Sequence, residues 1–193
     1  KGAIRVETAI AAAGDPPDPE AWRLLAAVYL DAGEEEAAVK TLEDLAARAP
    51  ADGTAFRELG RTFLDRREPS RAERHLRRAV QLAPRDAEAH RLLAQAHEAL
   101  RREPEAREDL LAVLKVEPED QGALLGLGRM AVRHGDTTAA QEWFRRYVRA
   151  GADPADAYTR VVFQWLEADF GTEALAEARA AIEDAGPDPR LRF

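Results

Sequence analysis

The side chains that could do chemistry in this chain are four histidines and a large set of carboxylates, with no cysteine among them. Without thiols, disulfides, cysteine–zinc sites and thiol catalysis are excluded. His90 and His97 lie seven residues apart, which on one helix is about 10 Å along the axis. One metal ion draws its ligands to within about 2 Å of itself. The spacing therefore predicts two partly buried histidines with hydrogen-bond partners, and no metal site. His75 and His134 fall on polar positions and are expected in solvent. The carboxylates Glu34, Glu35 and Glu36, and again Glu117, Glu119 and Asp120, sit at turns and helix starts, where acids interact well with the helix dipole. A catalytic pair needs burial in a cleft to shift its pKa, and nothing in the pattern predicts burial. No phosphate-binding G-x-x-x-x-G-K-[ST] loop and no G-x-S-x-G elbow occurs. Leu125-Gly126-Leu127-Gly128 reads as a helix stretch packed close to a neighbour. No catalytic residue, metal ligand or cofactor is expected, and the chain is not expected to be an enzyme.

The elements that position these residues come from a repeat. Pro16, Pro50, Pro84 and Pro118 follow one another at a step of 34 residues, and an aspartate stands two places after each: Asp18, Asp52, Asp86 and Asp120. Ala38, Ala72, Ala106, Ala140 and Ala174 keep the same step, as do Leu25, Leu59, Leu93 and Leu127 with Val161. A small residue follows each leucine, as Ala26, Gly60, Ala94 and Gly128, until Val162 breaks the rule. Proline stops a helix and the aspartate can cap the next one. Trp22, Leu25, Ala26 and Tyr29 recur with helical period, and Ala38, Leu42, Leu45 and Ala46 mark a second helix. Each unit is thus helix–turn–helix, with pairs near 19–48, 53–82, 87–116, 121–150 and 155–185. Neither helix can bury its apolar face alone, so neighbouring pairs must stack. The turn near Phe170 and Gly171 looks irregular.

Composition narrows the function classes. The 193 residues are 46% hydrophobic and 33% charged, with a net charge of −8. Such an acidic chain is a poor general nucleic-acid binder. No apolar run approaches the roughly 20 residues a membrane helix needs. The compartment stays undefined.

At this point the columns resemble the tetratricopeptide repeat family. Its pattern runs through unit two as Phe56, Leu59, Gly60, Phe63, Ala72, Leu76, Ala79 and Pro84. Unit one fits with Leu45 in place of the last alanine, and unit three departs at His90 and His97. Unit four lacks the closing proline at Ala152, and unit five fits most loosely. The resemblance implies an all-α fold, a right-handed superhelical solenoid of antiparallel helix pairs. Its repeats are expected at 18–51, 52–85, 86–119, 120–153 and, degenerate, 154–188. Residues 1–17 match the second helix of a truncated preceding repeat, and 189–193 the start of a truncated next one. Apolar surface at those ends predicts weak self-association.

In this family the first helix of each pair lines the concave face at its second, fifth, sixth, ninth, twelfth and thirteenth places. The resemblance puts Arg23, Arg57 and Arg91 at the fifth place. Arg61, Gln95, Arg129 and Phe163 fall at the ninth, Arg133 at the thirteenth and Arg160 at the sixth. Two readings stand side by side. In one, the arginines pair with nearby carboxylates such as Glu58, Asp65, Glu88, Glu98 and Glu167. In the other, they fork onto an acidic or carboxylate-bearing segment of a partner. The lysine–asparagine clamp that some relatives use for chaperone tails is absent, because the chain has no asparagine. The resemblance thus implies a protein–protein interaction scaffold with a protein or peptide partner, in a bacterial secretion, polysaccharide-export, pilus or motility assembly. The alternative is a regulatory or targeting segment of a larger enzyme or transporter.

Overall fold

The computed structural model describes residues 18–151 and 153–185. They form α1 (Pro19–Asp31), α2 (Glu35–Arg48), α3 (Gly53–Asp65), α4 (Pro69–Leu82), α5 (Ala87–Ala99), α6 (Glu103–Val116), α7 (Gln121–Arg133), α8 (Thr137–Ala150), α9 (Pro154–Glu167) and α10 (Gly171–Ala185). No strand occurs among the described residues. The expected helix within 1–17, the residues 189–193 and Ala152 lie outside them.

First helices start on aspartate. Asp18, Asp52, Asp86 and Asp120 accept from the backbone N–H of Glu20, Thr54, Ala89 and Ala123, a cap worth about 1 kcal/mol each. In the fifth pair the start moves by one residue. Asp153 takes over the cap, accepting from Ala155 and Asp156, and Pro154 occupies the first turn.

The turn inside each pair is built on one left-handed residue. Gly33, Arg67, Arg101, Gly135 and Asp169 have φ of 76°, 59°, 60°, 72° and 66°, and they keep the 34-residue step. The N–H that follows each returns one turn back: Glu34 to the Tyr29 carbonyl, Glu68 to Phe63, Arg102 to His97, Asp136 to Ala131 and Phe170 to Trp165. That is the Schellman closure. The turn before Gly171 is therefore built like the other four, against the irregularity its sequence suggests, because backbone bonds close it whatever the side chain.

The chain divides into two compact units between Asp109 and Leu110, inside α6. In the first unit α1 packs on α2, α3 on α4, and successive pairs meet through α2 with α3, α4 with α5, and α3 with α5. The core there is Ala26, Leu42, Leu45, Leu59, Phe63, Leu76 and Leu93. In the second unit α7 packs on α8 and α9 on α10, while α9 also meets α7 and α8. Leu124, Leu127, Phe144, Val161 and Trp165 fill its interior, with the Phe144 and Trp165 rings edge to face at 5.4 Å. The small column has a steric cause at two places. A Cβ on Gly60 would stand 2.3 Å from Leu76, and one on Gly128 2.2 Å from the Phe144 ring.

Candidate partner-binding surface

Residues three and four apart share one face of a helix, so Glu20, Arg23, Leu24, Ala27 and Leu30 project from α1 together. In the unit that ends at Asp109 they meet Thr54, Arg57, Glu58, Arg61 and Asp65 of α3. The two rows enclose an open cavity of about 450 Å³, backed by Ala26, Leu42 and Thr62. Leu24 is 57% exposed and Leu30 40%. Neither leucine is found by following charge along the chain. The signal for them is an apolar residue at the sixth and twelfth places of a first helix, where other repeats carry Glu58 and Glu98.

The arginines of this face are engaged. Arg23 Nη1 donates to Asp52 Oδ2 at 3.0 Å, and Arg57 Nη1 donates to Asp86 Oδ2 at 2.6 Å. In both acceptors the other oxygen caps the next first helix, so one carboxylate ties a helix start to the preceding pair. Burial pushes the Arg57 pKa down, but Asp86 and Glu58 outweigh it and leave the guanidinium above its ordinary value. Arg61 Nη2 donates to Glu88 Oε1 at 2.8 Å, and Arg91 Nη1 donates to Glu88 Oε2. Gln95 is exposed on α5. The structure thus brings Arg23, Arg57 and Arg61 to one cavity and engages each with a carboxylate.

In the second unit Arg129 is half-buried on α7, and Arg133 is exposed at the end of the same helix. Arg160 on α9 donates to Asp156 Oδ2 at 2.9 Å. Phe163 is 57% exposed and Leu166 53%, and their three-residue spacing puts them on one face of α9. A further cavity of about 410 Å³ lies among α8, α9 and α10, with Arg145, Tyr158 and Glu177 in its wall. Burial holds the Glu177 carboxyl above its usual range.

The histidines occupy a different place. Both His90 and His97 are buried, and they share one buried carboxylate. His90 Nδ1 lies 3.1 Å from Asp109 Oδ1, and His97 Nδ1 lies 2.8 Å from Asp109 Oδ2. His90 Nε2 faces the Pro84 carbonyl at 3.2 Å. Flanked by two acceptors, this ring satisfies both only as an imidazolium. The Asp109 bond accordingly raises the His90 pKa against the opposing effect of burial. His97 Nε2 stands 3.5 Å from Glu73 Oε1, an ion-pair distance. That same oxygen takes Arg77 and Arg102, each at 2.7 Å. The burial of Glu73 and Asp109 is a feature that the sequence pattern does not predict. Column periodicity fixes which positions face inward but not which of them the inserted histidines will pull a carboxylate toward. His75 also departs from expectation. It is half-buried and stacks on Phe63 at 5.3 Å and on Phe56 at 6.4 Å. Burial, then the charges of Arg74 and Arg71, lower its pKa. An imidazole is flat and apolar enough to join two rings, which is why a polar position holds it. Among the described residues, no three histidine or carboxylate groups converge as a metal would require.

Known proteins supply the remaining comparison. Two family models described as tetratricopeptide repeat match, one over residues 57–115 and 104–157 and one over 5–60. No curated protein matches the chain. Among solved structures, MamA from Desulfovibrio magneticus RS-1 is similar with a TM-score of 0.73 at 18% identity, covering 91% of this chain and 99% of that one. YrrB, described as a TPR protein with an unusual peptide-binding site, reaches 0.70 at 18% identity over 90% of this chain and 89% of its own. PilW, described as a type IV pilus biogenesis factor, reaches 0.71 at 16% identity, covering 97% and 86%. At these identities the likeness concerns the fold.

Proposed function

The chain belongs to the tetratricopeptide repeat family, and on that premise we propose that it is a non-catalytic scaffold whose first-helix faces hold a peptide or domain of a partner protein. The observation that carries this reading is the open cavity between α1 and α3, rimmed by Leu24 and Leu30. Large apolar side chains left exposed around a concavity are what a partner covers. In the other unit, exposed Phe163 and Leu166 on α9 offer surface of the same kind.

The arginine strip then divides by role. Arg23 and Arg57 brace helices through Asp52 and Asp86, while Arg91 joins Glu88 within α5. Arg61, Gln95, Arg129, Arg133, Arg160 and Phe163 are the positions we assign to partner contact, joined by Leu24 and Leu30. Chemistry is not part of this reading. The buried acids Glu73 and Asp109 are taken up by histidine and arginine, and neither lines the cavity. For the assembly we favour a bacterial secretion, polysaccharide-export, pilus or motility complex, consistent with the pilus role by which PilW is described.

Site-specific photo-crosslinking tests the surface. A benzophenone side chain at Leu24, Ala27 or Phe163 should trap a partner in cells, and one at the exposed Arg74 of α4 should not. Adducts from Arg74 alone would move the recognition surface to the second helices and overturn the reading.

A further inference from the structure

The cavity between α1 and α3 sits in a lopsided charge environment. Arg23, Arg57 and Arg61 line it together with Glu20, Glu58 and Asp65. Each of the three guanidiniums is also bonded by an acid outside the lining: Asp52, Asp86 and Glu88. The wall with its bonded partners therefore holds more carboxylates than cations, in a chain that is itself acidic. An anionic ligand would have to compete with Asp52 or Asp86 for Arg23 or Arg57, and those two acids also cap α3 and α5. Breaking either bond would leave a part-buried charge unmatched. Asp65 is the opposite case. It is exposed at the end of α3, lines the cavity, and makes no ion pair among the described residues. Between these charges lies the apolar strip of Leu24, Ala27 and Leu30.

We propose that the occupant of this cavity is a basic, apolar segment of a partner protein, with a leucine- or phenylalanine-type side chain seated on Leu24, Ala27 and Leu30 and a lysine or arginine beside Asp65. This rests on the reading of the first-helix face as the binding surface and adds the chemistry of its ligand. It reverses the sign that the arginine strip suggests. Apolar burial supplies the affinity, and the field of the surrounding acids selects the cation and repels acidic competitors.

A display selection tests it. Random dodecapeptides are selected on the full chain and depleted on the Ala27→Trp variant, whose indole fills the cavity from an exposed position. Leu24→Ser serves as a second depletion target, and circular dichroism shows that both variants fold. Peptides that survive should combine leucine or phenylalanine with lysine or arginine. By fluorescence anisotropy they should bind Asp65→Lys several-fold more weakly than the parent, and added salt should weaken them further. Survivors rich in aspartate and glutamate would overturn the basic ligand and leave the cavity as the site. Survivors that bind Asp65→Lys as well as the parent would do the same. If both variants capture every peptide that the parent binds, so that none survives depletion, the proposal and the binding-surface reading fall together.

Discussion

The face of α1 leaves Leu24 and Leu30 57% and 40% exposed, whereas the junction of α4, α5 and α6 buries Glu73, His90, His97 and Asp109. Both regions lie in the unit that ends at Asp109, and both depart from the usual sorting of apolar and polar side chains. The departures have different costs. An exposed leucine leaves uncovered apolar surface that it could have buried, at no cost in unmatched charge. A buried carboxylate must be matched, and Asp109 is matched by two imidazoles while Glu73 is matched by two guanidiniums and stands beside His97. Of the two, only the second is woven into stability, and the first is the surface that the proposed function gives to a partner.

The largest effect that separates them is expected from Asp109→Ala. Removing the shared carboxylate strands two buried imidazoles and should cost about 3–5 kcal/mol in denaturant unfolding. Leu59→Ala in the core column provides the scale, at roughly 2–5 kcal/mol. An Asp109→Ala loss no larger than a surface substitution would erase the distinction between the regions.

Next comes pH. The His90 pKa is raised above 6.5 by Asp109, so the stability it contributes is complete below about 6.5. That contribution is lost as pH rises through the folded value. The His75 pKa is lowered by burial, so its neutral ring costs stability as pH falls from about 6.5 toward the folded value. Melting temperature should therefore fall on both sides of neutrality. Asp109→Asn should flatten the alkaline limb, and His75→Phe the acid one. An unchanged profile in both variants would sever the clusters from stability.

A smaller gain is expected at the turns. Arg67 and Arg101 hold φ of 59° and 60°, where Gly33 and Gly135 hold the same column without a Cβ. Arg67→Gly should stabilise by about 1 kcal/mol, because the left-handed conformation costs a side chain that much. Calorimetry showing a loss would mean that the arginine side chain contributes more than the strain.

The smallest effect should come from Leu24→Ser, with a stability change of roughly 0.5 kcal/mol or less. The same substitution should weaken partner capture. A large loss of stability instead would make Leu24 part of the core.

Much of the architecture was legible because each repeat states its own boundaries. Proline, the capping aspartate and the small residue recur where the structure stops a helix, starts the next and presses two together. The first-helix arginines were legible as positions on a shared face but not as bonded groups. Arg23 meets Asp52 and Arg57 meets Asp86, each across 29 residues, and such a contact exists only after two pairs have stacked. Leu24 and Leu30 were missed for a related reason. In composition they resemble the core leucines, and only the place within the helix separates them.

What the sequence determined by itself was the helix-pair repeat, since period, caps and breakers act locally and are repeated several times over. Its turns were determined too, for a reason that composition hides. The Schellman bonds are made by backbone, so Arg67, Arg101 and Asp169 close the same turn as glycine. The tertiary structure alone decided which charges remain available. Every arginine and acid on a helix surface looks alike until stacking brings a neighbour within a few ångströms. Stacking matched Arg23, Arg57 and Arg61 with carboxylates, drew Glu73 and Asp109 inward around the histidines, and left Asp65 in the cavity wall with no ion pair among the described residues.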